Sequence, residues 1–314
     1  MIKQNKQITF IITTILFLCG MKAAASFSTN LAVVGCGVLG TSLCKQVLQE
    51  ETAADADVIQ VVGVTKTTNH HNEILTDVGT DDRFSVATIE QVLKDGKKFR
   101  DVVFCAPPSG SEDYSADLKA AMELWDAEGQ DGVFVFTSSS AVYKEQEGNL
   151  FTIVNETSPT LSVEESPRAA RLLLAEDVCR ENGGTVCRLG GLYTLDRGAH
   201  NFFMNKGEIA RNSEGMLNLL HYDDAAGACL AALKTGSSIR KKTFLISDGS
   251  PVTRLGMCES CLLSKKYAGM PLPKFTGEEG DGGIGKMFDG RLSNHVLQWK
   301  PRYPSFETFM FSQR

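Results

Sequence analysis

The stretch Leu31-Ala-Val-Val-Gly-Cys-Gly-Val-Leu-Gly40 constrains the fold of this chain more than any other. A short apolar run ends in three glycines spaced GxGxxG, and VLGTSLCKQVLQE continues with helical spacing. A strand that turns through such glycines into a helix is the opening unit of a parallel α/β sheet that holds a dinucleotide. Each glycine has its own reason. Gly35 makes the tight turn, Gly37 lets a pyrophosphate come close, and Gly40 lets the helix pack on the strand. The first amides of that helix, at Val38 and Leu39, then face the phosphates.

The alternation continues along the chain. DVIQVVGVT is a β-branched run, FSVATIEQVLKD a strand or turn followed by a helix, and DVVFCAPP a strand stopped by two prolines. DYSADLKAAMELWDAEG is predicted as an amphipathic helix ending at Gly129, and DGVFVFTSSS as the next strand. SPRAARLLLAEDVCRENGG is a helix stopped by Gly183 and Gly184, and TVCRLGGLY is a sixth strand. Strands buried on both faces and separated by helices predict an α/β fold, a Rossmann-type doubly wound parallel sheet over residues 29–195. From 196 to 314 the pattern is irregular. HYDDAAGACLAALKTG reads as a helix N-capped by Asp223 or Asp224, and KTFLISDG as one more strand. This part is expected to be a smaller α+β substrate-binding region interleaved with the last strands of the sheet.

Cofactor choice is read at the end of the second strand. An acidic residue there would hold a ribose 2′-hydroxyl. This chain instead offers Thr65, Lys66, Thr67 and Thr68, which suit a 2′-phosphate better, so NADP is expected, with NAD as the alternative. Ligands of such sheets sit at the carboxyl ends of the strands. Ala106, Pro107, Ser138 and Gly191 occupy those ends and are expected to line the cofactor site. A second glycine loop, GDGGIGKM at 280–287, nearly spells a phosphate-binding P-loop. Met287 replaces its magnesium-binding hydroxyl, and no strand precedes it. It reads as a lid, with Lys286 reaching an anionic substrate group.

Composition removes other classes. The net charge is −6 and no Lys/Arg run occurs, so no electrostatic footprint for nucleic acid is present. The five histidines show no metal spacing, and no metal is expected. Nine cysteines lie mostly in apolar runs, where they act as small hydrophobes. Cys258-Glu-Ser-Cys261 has CxxC spacing without a second pair or a redox context.

The N-terminus points elsewhere. Lys3 and Lys6 precede the 13 residues from Ile8 to Gly20, which are largely apolar, and small residues follow at Ala23 to Ser26. Residues 1–26 therefore read as a signal-type leader, too short for a comfortable membrane span; no membrane association is expected once it is removed. The alternative is a cytoplasmic protein that starts at Met21. AAASF, with Phe27 after the small residues, resembles the junction of a plastid leader that uses the secretory route.

GCGVLG, FTSSSAVY, RLGGLY and LLHYDDAA together resemble the extended short-chain dehydrogenases of the NAD(P)-dependent epimerase/dehydratase group, over most of residues 30–314. The resemblance implies a serine that steadies the substrate oxygen, a tyrosine in YxxxK that exchanges the proton, and a lysine that lowers the tyrosine pKa and holds the nicotinamide ribose. Ser139 stands in the serine's place. The tyrosine's place holds Arg168 and the lysine's holds Leu172, so both partners are absent. Arginine stays protonated and cannot relay a proton, although it can bind an anion. If hydride transfer occurs, another acid must serve, and Tyr143 and Tyr193 are the candidates. His221 is expected in a structural hydrogen bond. Arg188, Arg197 and Arg291 are expected near an anionic substrate. The resemblance further implies a small sugar-like substrate and a homodimer. Loss of the Tyr/Lys pair leaves a second reading open, a catalytically inactive NADP(H)-binding sensor or scaffold.

Overall fold

The computed structural model describes residues 30–50, 60–129, 131–145, 152–277 and 285–314. The leader and most of the second glycine loop lie outside them.

The first half winds β1 (Asn30–Val34), α1 (Val38–Glu50), β2 (Gln60–Thr65), α2 (His71–Val78), β3 (Phe84–Thr88) and α3 (Ile89–Lys94). It then returns through β4 (Asp101–Phe104), α4 (Tyr114–Met122), β5 (Phe134–Ser139), β6 (Thr152–Val154), α5 (Pro167–Glu181) and β7 (Thr185–Leu189). The second half adds β8 (Gly191–Tyr193), α6 (Ala199–Lys206), β9 (Glu208–Ile209), β10 (Met216–Leu217), β11 (Leu219–His221) and α7 (Tyr222–Thr235). β12 (Thr243–Ile246), β13 (Val252–Thr253), α8 (Arg254–Cys261), β14 (Lys274–Phe275), β15 (Lys286–Phe288), α9 (Arg291–Leu297) and α10 (Phe306–Ser312) complete it.

Seven strands form one parallel sheet in the order β12-β7-β5-β4-β1-β2-β3. The chain starts at β1, winds outward to β3, then returns to lay β4 on the other side of β1. The order therefore reverses between β1 and β4, and a crevice opens there at the strand ends. Valines and phenylalanines of β1, β4, β5 and β7 are buried on both faces, as a sheet covered by helices requires. One core packs Leu39, Leu43 and Val47 of α1 with Ala225, Cys229 and Leu233 of α7. The opposite core packs Leu118 and Ala121 of α4 with Leu172, Ala175 and Cys179 of α5.

The two halves interleave. β12 comes from the second half and extends the main sheet, while β15 pairs with β6 of the first. A third core holds Tyr193, Phe203, Met257, Tyr267, Phe306 and Phe309. Cys258 and Cys261 are fully buried in it as packing residues.

Two element boundaries depart from expectation. α4 ends at Met122, because Leu124 and Trp125 turn inward and Asp126 donates its amide to the Phe99 carbonyl. The N-cap of α7 is His221: its Nδ1 accepts from the Asp223 amide at 3.1 Å. Asp224 is instead buried and accepts from the amides of Arg302 and Tyr303 at 2.5 and 3.1 Å, which ties the C-terminal segment to α7.

Candidate functional site

The three glycines have distinct surroundings. Gly35 sits at φ +86°, and a Cβ on it would lie 2.5 Å from the Cα of Ala106 and 2.8 Å from its Cβ. The glycine turn thus passes against the chain leaving β4. A Cβ on Gly40 would meet the Gly35 carbonyl oxygen at 2.9 Å and Val33 Cγ1 at 3.0 Å, so helix and strand approach too closely for a side chain. A Cβ on Gly37 would meet nothing within 4 Å. Gly37 borders open space, where a phosphate group would need bare backbone.

That space belongs to a cleft of about 1090 Å³ along the strand ends. Gly35, Gly37, Val38 and Leu39 line it beside Lys66, Thr67, Ala106 and Pro107, and it continues past Ser138, Ser139 and Arg168 to Gly191 and Arg197. A narrower apolar slot of about 190 Å³ opens between the ends of β1, β2 and β4 and the start of α4. Val34, Val64, Ile89, Phe104 and Ala106 line it, with Lys66 and Asp117 beside them. These residues fit a dinucleotide: bare backbone at Gly37 for phosphates, and an apolar slot for a flat base.

The hydroxyls that end β5 divide their work. Thr137 donates to the Phe104 carbonyl at 3.1 Å and locks β5 to β4. Ser138 donates to Glu176 Oε1 at 2.6 Å. Ser139 accepts from the Ala141 amide at 3.2 Å, where the chain turns into a short 3-10 helix. That bond uses an oxygen lone pair, and among the described residues no acceptor is seen for the Ser139 hydroxyl proton, which leaves it free for a ligand.

Ser166 and Pro167 place Arg168. Ser166 accepts from the Ala169 amide at 3.2 Å and Pro167 opens α5, so Arg168 stands in the first turn, exposed at the cleft. Leu172, one turn on, is buried in the core under α5 and also borders the cleft. An apolar side chain holds the lysine's place, with no cation there to lower a phenol pKa.

Several expected roles move away from the site. Tyr143 is fully buried, donates weakly to the Glu156 carbonyl at 3.4 Å and lies under the Arg188 guanidinium at 4.7 Å. It does not line the cleft, and burial raises its pKa. Tyr193 is fully buried in the third core, where burial likewise raises its pKa. Neither phenol is placed to exchange a proton with a ligand in the cleft. Arg188 does not reach the cleft either: it is 6% exposed and forks onto Glu176 at 2.7 and 3.1 Å. Lys286 donates to the Tyr143 carbonyl at 2.7 Å and does not line the cleft. Arg291 pairs with Asp289 at 2.6 Å at the surface. Arg197 does line the cleft.

Sequence reasoning missed Glu176 and Asp117. Glu176 is fully buried and binds Ser138, Arg188 and Arg180 together, so it fixes the end of β5. A glutamate in an apolar helix stretch, LLLAEDVC, was its signal. Asp117 receives the Lys66 ammonium at 2.7 Å. The pair joins residues 51 positions apart, and no local pattern announces it.

No protein-family model and no curated protein matches the chain. Solved structures do match. A UDP-glucose 4-epimerase from Stenotrophomonas maltophila, with bound NAD and formylated UDP-arabinopyranose, is 18% identical with a TM-score of 0.64, covering 91% of this chain and 96% of that one. A UDP-glucuronic acid 4-epimerase from Bacillus cereus, with UDP-glucuronic acid and NAD, is 18% identical with a TM-score of 0.67, covering 90% and 97%. A dTDP-glucose 4,6-dehydratase from Bacillus anthracis, with NAD, is 14% identical with a TM-score of 0.69, covering 91% and 95%. This chain has the fold of these nucleotide-sugar epimerases and this dehydratase. Among its described residues, no helix is long and apolar enough to cross a membrane, and no group of histidine, cysteine or carboxylate residues is placed to hold a metal ion.

Proposed function

We propose that this protein is an NAD(P)-dependent oxidoreductase or epimerase of a polar, sugar-like small molecule, with NADP as the finer reading of its cofactor. The observation that carries the proposal is the glycine turn. Gly35 and Gly40 are hemmed in while Gly37 stays open, at the head of a cleft running to Ser139, Arg168 and Arg197. The neighbours of the same fold hold NAD, two of them together with a nucleotide sugar, which supports the dinucleotide and the sugar-like substrate. NADP is favoured because the end of β2 carries no carboxylate of its own.

Hydride transfer is the chemistry that the nicotinamide of such a dinucleotide supplies. Ser139 offers its free hydroxyl proton to a substrate oxygen. Arg168 binds an anionic group or polarises a carbonyl, but it holds its own proton throughout. A proton donor outside the YxxxK pattern therefore serves, and Tyr222, at the first position of α7 and lining the cleft, is the phenol to test.

Arg168 and Leu172 favour a second reading, a dinucleotide-binding protein without catalysis. Fluorescence titration with NADPH and NADH tests the shared part of both readings: no binding of either removes both. Arg168→Tyr with Leu172→Lys then separates them. Turnover of nucleotide sugars by the natural protein supports the enzyme, and turnover confined to the double variant supports the second reading. The leader is proposed to route the protein into the secretory pathway and on to a plastid. A fluorescent fusion of residues 1–40 that stays in the cytosol removes that reading. A homodimer is proposed from the resemblance and is checked by light scattering.

A further inference from the structure

The end of β2 gives two opposite signals about the cofactor. Its own residues, Thr65, Lys66 and Thr67, offer a cation and hydroxyls and no carboxylate. A carboxylate arrives from elsewhere in the fold. Asp117, in the first turn of α4, holds the Lys66 ammonium at 2.7 Å, and both residues border the apolar slot as well as lying beside the glycine turn. Asp113 caps α4 by accepting from the Ala116 amide at 2.9 Å, which fixes the turn that carries Asp117. Burial works against ionisation of Asp117, yet the hydrogen bond from Lys66 holds its carboxyl below the usual range, so it is charged at neutral pH.

We propose that Asp117 is the residue that sets cofactor selectivity, by competing with a ribose 2′-phosphate for Lys66. The inference rests on the dinucleotide reading of the cleft. Two effects act together. The ion pair occupies the one ammonium at the end of β2, so a 2′-phosphate must share or displace Asp117 to reach it. The phosphate also carries close to two negative charges at neutral pH, and Asp117 repels them. A ribose 2′-hydroxyl meets neither obstacle, and the carboxylate can accept its proton as a hydrogen bond. The side chains of Lys66 and Asp117 are 58% and 29% exposed, so the pair is weak enough for a phosphate to open it. The native protein accordingly discriminates only mildly between the two dinucleotides, with Lys66 favouring NADP(H) and Asp117 opposing it.

The test is a fluorescence titration of the full chain, and of its Asp117→Asn and Lys66→Gln variants, with NADPH and NADH. In Asp117→Asn the NADPH/NADH affinity ratio is expected to rise by about tenfold, the scale of one charge-assisted contact. In Lys66→Gln the ratio is expected to fall below one. A ratio within twofold of the native value in Asp117→Asn, with nucleotide still bound, overturns the inference and leaves the dinucleotide reading intact. Absence of binding by the native chain overturns both. Circular dichroism melts of the variants separate a selectivity change from loss of fold.

Discussion

Alanine at Gly35 and at Gly37 should separate two roles that a glycine motif usually confounds. At Gly35 the backbone is left-handed, which costs a residue with a Cβ about 1–2 kcal/mol. The new Cβ would also fall among the backbone nitrogen, Cα and Cβ of Ala106, and relief requires the β1 and β4 ends to part. Overpacking of that kind adds about 1–3 kcal/mol. The sum is about 2–5 kcal/mol, equivalent to a fall of roughly 5–15 °C in melting temperature for a domain of this size. At Gly37 the Cβ meets nothing, and the stability change should stay within about 1 kcal/mol. The methyl group projects into the open space at the head of the cleft, so dinucleotide affinity should fall by about tenfold or more. Thermal melts followed by circular dichroism, with NADPH titration at a temperature where both variants are folded, read the two effects independently. Equal loss of melting temperature in both variants, or a Gly37→Ala protein that binds like the native one, would refute the argument.

Other consequences are equally open to measurement. Glu176→Ala should destabilise by about 3–5 kcal/mol in urea melts, because it strands the buried Arg188 and frees Ser138; replacing Glu176 and Arg188 together by leucines should cost less than the single change. Asp248 is 7% exposed, and burial pushes its carboxyl up to about 7. The unfolded carboxyl titrates near 4, so this stabilising contribution is fully present below that value and is lost as pH rises through about 7. Asp248→Asn should therefore gain on the native protein by up to about 4 kcal/mol between pH 4 and pH 8. Urea melts of the two proteins across that range check this, and parallel pH profiles would exclude it. Comparing the two proteins cancels the histidines, since burial lowers the pKa of His200 and His221 and gives them the opposite sign. Asp224→Ala should release the segment at Arg302 and Tyr303, at a cost of about 1–3 kcal/mol and with faster amide exchange at those two residues.

What the sequence determined by itself is the local and periodic part of this protein. The strand–glycine–helix unit and the runs of β-branched residues fix a doubly wound parallel sheet, because short-range sterics and two-sided burial admit few alternatives for such patterns. The places of Ser139, Arg168 and Leu172 were legible through the resemblance to the extended short-chain dehydrogenases, which FTSSSAVY and SPRAARLLLAE carry, and not through local pattern alone. The tertiary structure alone decided which side chains meet across long separations. Tyr143 reads as a candidate acid beside the serines, yet β5 turns at Ser140 and carries it under Arg188, away from the cleft. Lys286 reads as part of a lid, but the pairing of β15 with β6 brings it to the Tyr143 carbonyl. Lys66 reads as a free cation because its partner is a helix residue beyond two further strands, placed there only when β4 crosses back beside β1. Charge pairing across a switch point depends on which strands become neighbours, and that order is a property of the folded sheet rather than of any stretch of chain.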